Sequence, residues 1–231
     1  MLVDPINKEG FALQLARSLG ERATVLRASA ELEGTGAADP RDLRTRRFLE
    51  RGSEIVRACA ALGQMNNPTA IAILARAHLE SLIQLLWVTL SEQNAVDLTE
   101  STSEELIRMA KVNMRSGKLS ITNEHTGKDE TASLLSDERM KTTRPRRSIE
   151  ACAQAAGVSD LYNVFYRFMS LETHGHKLDG SSGKSDWELT AMHLQSIGGL
   201  TQALGHVGVR WLVHRQRPNN EELRGLLGLG K

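Results

Sequence analysis

Residues 70–90 read AIAILARAHLESLIQLLWVTL, and this run decides the fold class. It is apolar on nearly every side of a helix, the pattern of an element buried in the middle of a bundle. Arg76, His78, Glu80 and Gln84 are scattered through it. Such groups are costly in hydrocarbon, so we expect the core helix of a soluble protein and no membrane association. Asn67-Pro68 stands just before the run. Asparagine can accept from unpaired N–H groups at a helix start, and proline at the first helical position loses nothing by lacking its own. The prediction is a helix over about 68–92.

The same punctuation recurs on both sides. Asp4-Pro5 opens a predicted first helix reaching about Leu32, and the linker from Gly34 ends in Asp39-Pro40. The second helix is predicted over 40–64, with Phe48, Gly52, Ile55, Val56, Cys59 and Leu62 at helical spacing. Ser101-Thr-Ser-Glu104 fits a capping box and predicts a short fourth helix to about Arg115. Residues 116–147 are polar and weakly periodic, a long loop with one short helix near 131–140. Ser148 starts a helix to about Ala156, Gly157 stops it, and Asp160 starts another to His174. A Gly/Ser loop over 175–185 leads to a second capping box, Ser185 to Glu188, and a long last helix to about Arg215. Aromatic residues are only 4%, and the one Asp-Gly pair, Asp179-Gly180, lies in that loop, so strand signals are nearly absent. The expectation is an all-α fold: a single helical bundle of about six to seven helices over 1–231. Its core spans about 40–215, and the helix 5–32 packs on it.

With 29 Lys and Arg against 28 Asp and Glu, the net charge of +1 makes no global polyanion magnet. RNA would need a local patch. Arg44, Arg47 and Arg51 on one face of the second helix, and Arg144, Arg146 and Arg147 at the end of the long loop, are the phosphate-binding candidates. The alternative is a solvated face partly paired with Asp42, Glu50 and Glu54. Cys59 and Cys152 sit in Ala-rich helical context with no secretory signal before them, which reads as reduced packing residues of a cytoplasmic protein. No glycine-rich phosphate loop follows a strand and no nucleophile elbow is present, so nucleotide-binding α/β folds and serine hydrolases are excluded.

Chemistry is expected where polar residues interrupt apolar helices. Arg76, Glu80 and Gln84 fall at i, i+4 and i+8 and share a face, while His78 points the opposite way. On the helix from Asp160, an apolar surface of Leu161, Val164, Phe165, Phe168, Met169 and Leu171 is interrupted by Asn163, Tyr166, Arg167, Ser170 and His174 on one face. Unpaired charge is expensive to bury. The two stripes are therefore expected to meet, Arg76 and Glu80 against Tyr166, Ser170 and His174, within the bundle or at the mouth of a cleft. The result is either a hydrogen-bond network that fixes helix register or a functional site. Glu172, His174 and His176 do not converge on one ion, so no metal and no other cofactor is expected. His206, Arg210 and His214 stack along the last helix as a solvated or interface face, and Gly198, Gly199, Gly205 and Gly208 there allow close packing.

Arg76-Ala-His-Leu-Glu80 with Trp87, together with Tyr166-Arg167-Phe-Met-Ser170-Leu-Glu-Thr-His174, resembles a family of bacterial all-helical proteins of unknown function. The likeness covers about residues 45–215. It implies the fold and a shared polar site, and no activity. A second resemblance is to the HEPN ribonucleases of toxin–antitoxin and phage-defence systems, which carry an Arg and a His on a helix with four to six residues between them. Arg167 and His174 match that spacing, while Phe168 departs from the polar residue that usually follows the Arg. This likeness implies a metal-independent RNA endonuclease working as a homodimer, with Arg167 on the phosphate and His174 moving the proton. The alternative is a non-enzymatic module that binds a partner protein or small ligand through the polar cleft.

Overall fold

A computed structural model describes residues 7–32, 39–136, 147–166 and 186–227. The fold is all-α. Nine helices follow in order among the described residues: α1 (Lys8–Ala30), α2 (Pro40–Gln64), α3 (Pro68–Val88), α4 (Glu92–Arg115), α5 (Thr131–Ser136), α6 (Ile149–Ala156), α7 (Ser159–Leu161), α8 (Asp186–His214) and α9 (Asn220–Leu226). A π-helical turn, Tyr162–Tyr166, continues α7. The chain forms two compact units, residues 1–92 with 149–231, and residues 93–148.

In the first unit α3 is the centre. It packs against α2, α6 and α8. Leu79, Leu82, Ile83, Leu85 and Leu86 are wholly buried, as an all-round apolar helix requires. Asn67 caps it by accepting from Ala70 N at 3.1 Å, and Asp39 caps α2 by accepting from Arg41 N at 2.8 Å. The helices meet closely where side chains vanish. A Cβ on Gly52 would lie 2.4 Å from Leu204 Cδ2, and one on Gly208 2.7 Å from Leu49 Cδ2, so α2 and α8 cross at a distance only glycine permits. α1 packs on α2 and α8 along a seam that includes the fully buried Ala12, Ala16 and Ala23. Among the described residues α3 alone is long and apolar enough to cross a membrane, and most of it is buried inside the bundle. Cys59 and Cys152 are buried, and burial pushes the Cys59 thiol up to about 12, so Cys59 is an inert packing residue.

Several boundaries differ from the sequence expectation. The cap of α1 is Asn7, accepting from Gly10 N at 2.9 Å; Asp4-Pro5 lies outside the described residues. α3 stops at Val88, where Thr89 Oγ1 turns back to the carbonyls of Leu85 and Leu86 at 3.1 and 3.0 Å. α4 then starts at Glu92, well before Ser101. The hydroxyls of Ser101 and Thr102 donate back to Leu98 O at 3.1 and 2.8 Å, the habit of mid-helix hydroxyls, and no capping box forms there. A capping box does form at Asn219 and Glu222, and it starts α9, a helix the sequence expectation omitted.

The second unit holds α4, a turn and α5. Gly117 and Gly127, at φ +68° and +65°, supply the left-handed residues. Asn123 N donates to Lys128 O at 2.9 Å and Glu130 N to Ile121 O at 2.8 Å, closing a small hairpin with one antiparallel bridge, Thr122 to Asp129. Residues 116–130 are thus more ordered than a plain loop, and α5 falls inside the predicted 131–140.

Candidate functional site

The third turn of α3 sets Arg76 and Glu80 one above the other, with side chains 25% and 27% exposed and Arg76 Nε 3.4 Å from Glu80 Oε1. Across from them stands Tyr166, at the end of the π turn. Arg76 Nη2 donates to the Tyr166 hydroxyl oxygen at 2.7 Å, and the guanidinium carbon lies 4.7 Å from the ring centroid. Glu80 also bears electrostatically on the phenol, so the three side chains form a triangle. Behind Tyr166, the Tyr162 ring stacks at 4.7 Å between centroids and 19° between planes.

Each group shifts the others. Burial disfavours charge on Arg76, but the Tyr166 bond and Glu80 outweigh it and hold the guanidinium above its ordinary value. Burial and the neighbouring Glu80 raise the Tyr166 phenol against the opposing pull of Arg76. Tyr166 therefore remains a neutral hydroxyl at physiological pH, accepting from the arginine. The cluster can hold a half-open cationic group in fixed orientation.

Residues 44–182, more than half of the chain, match a family described as a family of unknown function, DUF5677. The chain belongs to that family. No curated protein and no solved structure matches it. The DUF5677 segment begins in the first turns of α2 and runs past the π turn, so it contains Arg76, Glu80, Tyr162 and Tyr166; α1 and α8 lie outside it.

Of the residues expected at this site, Arg76, Glu80 and Tyr166 come together. Gln84 is buried one turn further along α3 and bonds to none of the three among the described residues. Asn163 is exposed, and Val164, expected on the apolar surface, is 57% exposed. Both corrections have one cause. The turn over 162–166 is π-helical, so the α-helical face assignment fails there. Tyr162 and Tyr166, four apart, stack as i,i+4 neighbours do. Tyr162 is the residue the sequence expectation missed. Arg167, Ser170 and His174 lie outside the described residues, as do Glu172 and His176. Among the described residues no group of three His, Cys, Asp or Glu could hold a metal ion.

His78 does point away from the DUF5677 triangle. It is fully buried, with Nε2 3.2 Å from Thr201 Oγ1. The Thr201 hydroxyl donates to Ile197 O at 2.7 Å, so it must accept from His78, which fixes the Nε2–H tautomer. Nδ1 is then a bare acceptor with no hydrogen-bond partner, and burial pulls the imidazole down to about 4.

The basic candidates of the DUF5677 segment divide. Arg44 is half-buried, and Arg47 and Arg51 are exposed on the same side of α2. Burial and the adjacent Arg47 lower the Arg44 guanidinium, the sign of a locally positive surface. Arg147 is exposed; Arg144 and Arg146 lie outside the described residues. Asp42 does not pair with this face. It is buried, accepting from Trp211 Nε1 at 3.1 Å and from both terminal nitrogens of Arg215, Nη2 at 2.7 Å. Arg41, held by Asp39 at 2.9 Å, lies 4.7 Å over the Trp211 ring. This clamp ties the start of α2 to the end of α8. Its signal in the sequence is the spacing of Asp42, Thr45, Leu49, Gly52 and Val56, which sets the carboxylate on the buried stripe. Glu50 reaches Arg27 of α1, at 4.0 Å.

Proposed function

We propose that the protein is a cytoplasmic, metal-independent RNA endonuclease of HEPN-like type, acting as a homodimer in a defence or toxin–antitoxin setting. What carries the reading is the π-helical turn pinned on Arg76 and Glu80 immediately before Arg167. π turns concentrate at functional sites, because the widened turn is kept at a cost in backbone hydrogen bonding. In this reading Tyr166, Arg76 and Glu80 position the start of the Arg167–His174 stretch. His174 takes the proton of a ribose 2′-hydroxyl, the oxygen attacks the adjacent phosphorus, and the 5′-oxygen leaves and is protonated. Arg167 neutralises the charge that develops on the phosphoryl oxygens. Arg44, Arg47 and Arg51 offer backbone contacts.

The test is cleavage of single-stranded RNA by purified protein in chelator, with His174→Ala and Arg167→Ala beside it. The expected result is chelator-resistant cleavage leaving 2′,3′-cyclic phosphate ends, lost in both variants. RNA equally stable with wild type and His174→Ala would overturn the reading.

The self-contained bonding of the triangle favours a second reading, a non-enzymatic module that recognises a partner protein or small ligand at the same edge. It expects no turnover of RNA together with a lower melting temperature for Glu80→Ala.

A further inference from the structure

A groove of about 810 Å³ runs between α1 and α8, apart from Arg76, Glu80 and Tyr166. From Thr201 to His214 it follows α8 for about 20 Å, at roughly 1.5 Å per residue. Its volume lies in the range of small-molecule sites. Val25 and Val209 contribute apolar lining, while Arg22, His206, Arg210 and His214 line it with nitrogen donors, and none of its lining residues is acidic. The three α8 groups recur every four residues, so they stack on one side of the helix.

Two of the cations are held in place. Arg22 Nη1 donates to Gly198 O at 2.9 Å, which lays the guanidinium across α8. Arg210 Nη1 donates to Glu222 of α9 at 2.7 Å, and Glu222 also faces His206. With two arginines set against Glu222, the fixed charges of the groove sum to about one net positive charge. That is too little for a nucleic acid, whose binding rests on neutralising many phosphates at once. It suits one anionic head attached to an apolar body.

We propose that the α1–α8 groove binds a small amphiphilic anion, a carboxylate or phosphate monoester on an extended alkyl or aryl chain, with its head at His206, Arg210 and His214 and its chain along Val209 and Val25. The site is independent of the RNA reading, and neither depends on the other.

The probes are octyl phosphate and octanoate, titrated into the full chain by calorimetry and followed by the imidazole NMR signals of His206 and His214. Octyltrimethylammonium is the control. The expected result is saturable binding of both anions with shifts at the two histidines, and none of the cation. Val209→Glu, which sets a carboxylate in the groove, is expected to weaken binding at least tenfold. The exposed pair His206→Gln/His214→Gln is expected to weaken it several-fold without a change in melting temperature, which keeps the test valid if Val209→Glu folds poorly. Equal binding of the cation, no binding of either anion, unchanged affinity in the variants, or binding only to phosphatidic acid vesicles would each overturn the proposal.

Discussion

Acidification should destabilise the first unit through one residue, His78. The imidazole sits fully buried between α3 and α8, at about 4 against an ordinary 6.5. A base with a depressed value is folded in its neutral form. The unfolded chain takes up the proton as the pH drops below 6.5, and the folded chain follows only near 4. Stability from this source is therefore complete above 6.5, falls between 6.5 and 4, and is level below. A difference of about 2.5 pH units at 1.36 kcal/mol each gives a ceiling of about 3.4 kcal/mol, of which about 2 kcal/mol is gone at pH 5. At roughly 2–4 °C per kcal/mol for a chain of this size, the melting temperature should drop by about 4–8 °C between pH 8 and pH 5. The other histidines are removed by comparison with His78→Met, which keeps the volume and cannot titrate; Thr201 still donates to Ile197. Urea unfolding of both proteins from pH 8 to pH 4.5 gives the difference directly. Curves that stay parallel, within about 0.5 kcal/mol, would refute the burial of His78 as a neutral acceptor with an empty Nδ1.

Tyr166→Phe removes one partly exposed, charge-assisted hydrogen bond and should cost about 1 kcal/mol in urea unfolding, with Tyr166→Phe and Arg76→Ala non-additive because they share that bond. Gly52→Ala should destabilise by about 1–3 kcal/mol, since the new Cβ would lie 2.4 Å from Leu204 Cδ2. Gly199→Ala should do the reverse by about 0.5–1 kcal/mol, because nothing lies within 4 Å and alanine is the better helix former; thermal melting decides both signs. Asp42→Asn removes the nearer of the two carboxylates at Arg215, the other being Asp39 at 3.7 Å, at a site where Asp42 is 7% exposed, and should cost about 1–3 kcal/mol and loosen the end of α8 in amide exchange.

Two helix starts were legible where proline and a capping side chain coincide. Asp39-Pro40 and Asn67-Pro68 mark the starts of α2 and α3 because a fixed φ and a side-chain acceptor act on the same few N–H groups. Hydroxyl residues alone misled. Ser101-Thr-Ser-Glu104 has the letters of a capping box, yet those hydroxyls have carbonyls one turn behind them in an already running helix. Asn219 and Glu222 stand at the same spacing, with asparagine in place of serine, and do cap, because Pro218 interrupts the chain before them. What precedes the motif decides whether it starts a helix.

The site was half legible for a related reason. Helical periodicity locates Arg76 and Glu80 because α3 is regular from Pro68 to Val88. It fails after Leu161, where the π turn over 162–166 departs from the α-helical phase. Tyr166 still reaches Arg76, so the turn was set by that contact rather than by local preference: Asn163 is left in solvent and Tyr162 takes the place beside Tyr166. A turn widened to deliver one tyrosine to an arginine–glutamate pair holds residues 162–166 in a costlier backbone than an α-helix. The bond from Arg76 to Tyr166 is therefore the point at which the regular helix α3 meets the π turn of the DUF5677 segment. For that reason Tyr166→Phe should shift any activity of the protein by more than its roughly 1 kcal/mol of stability would account for.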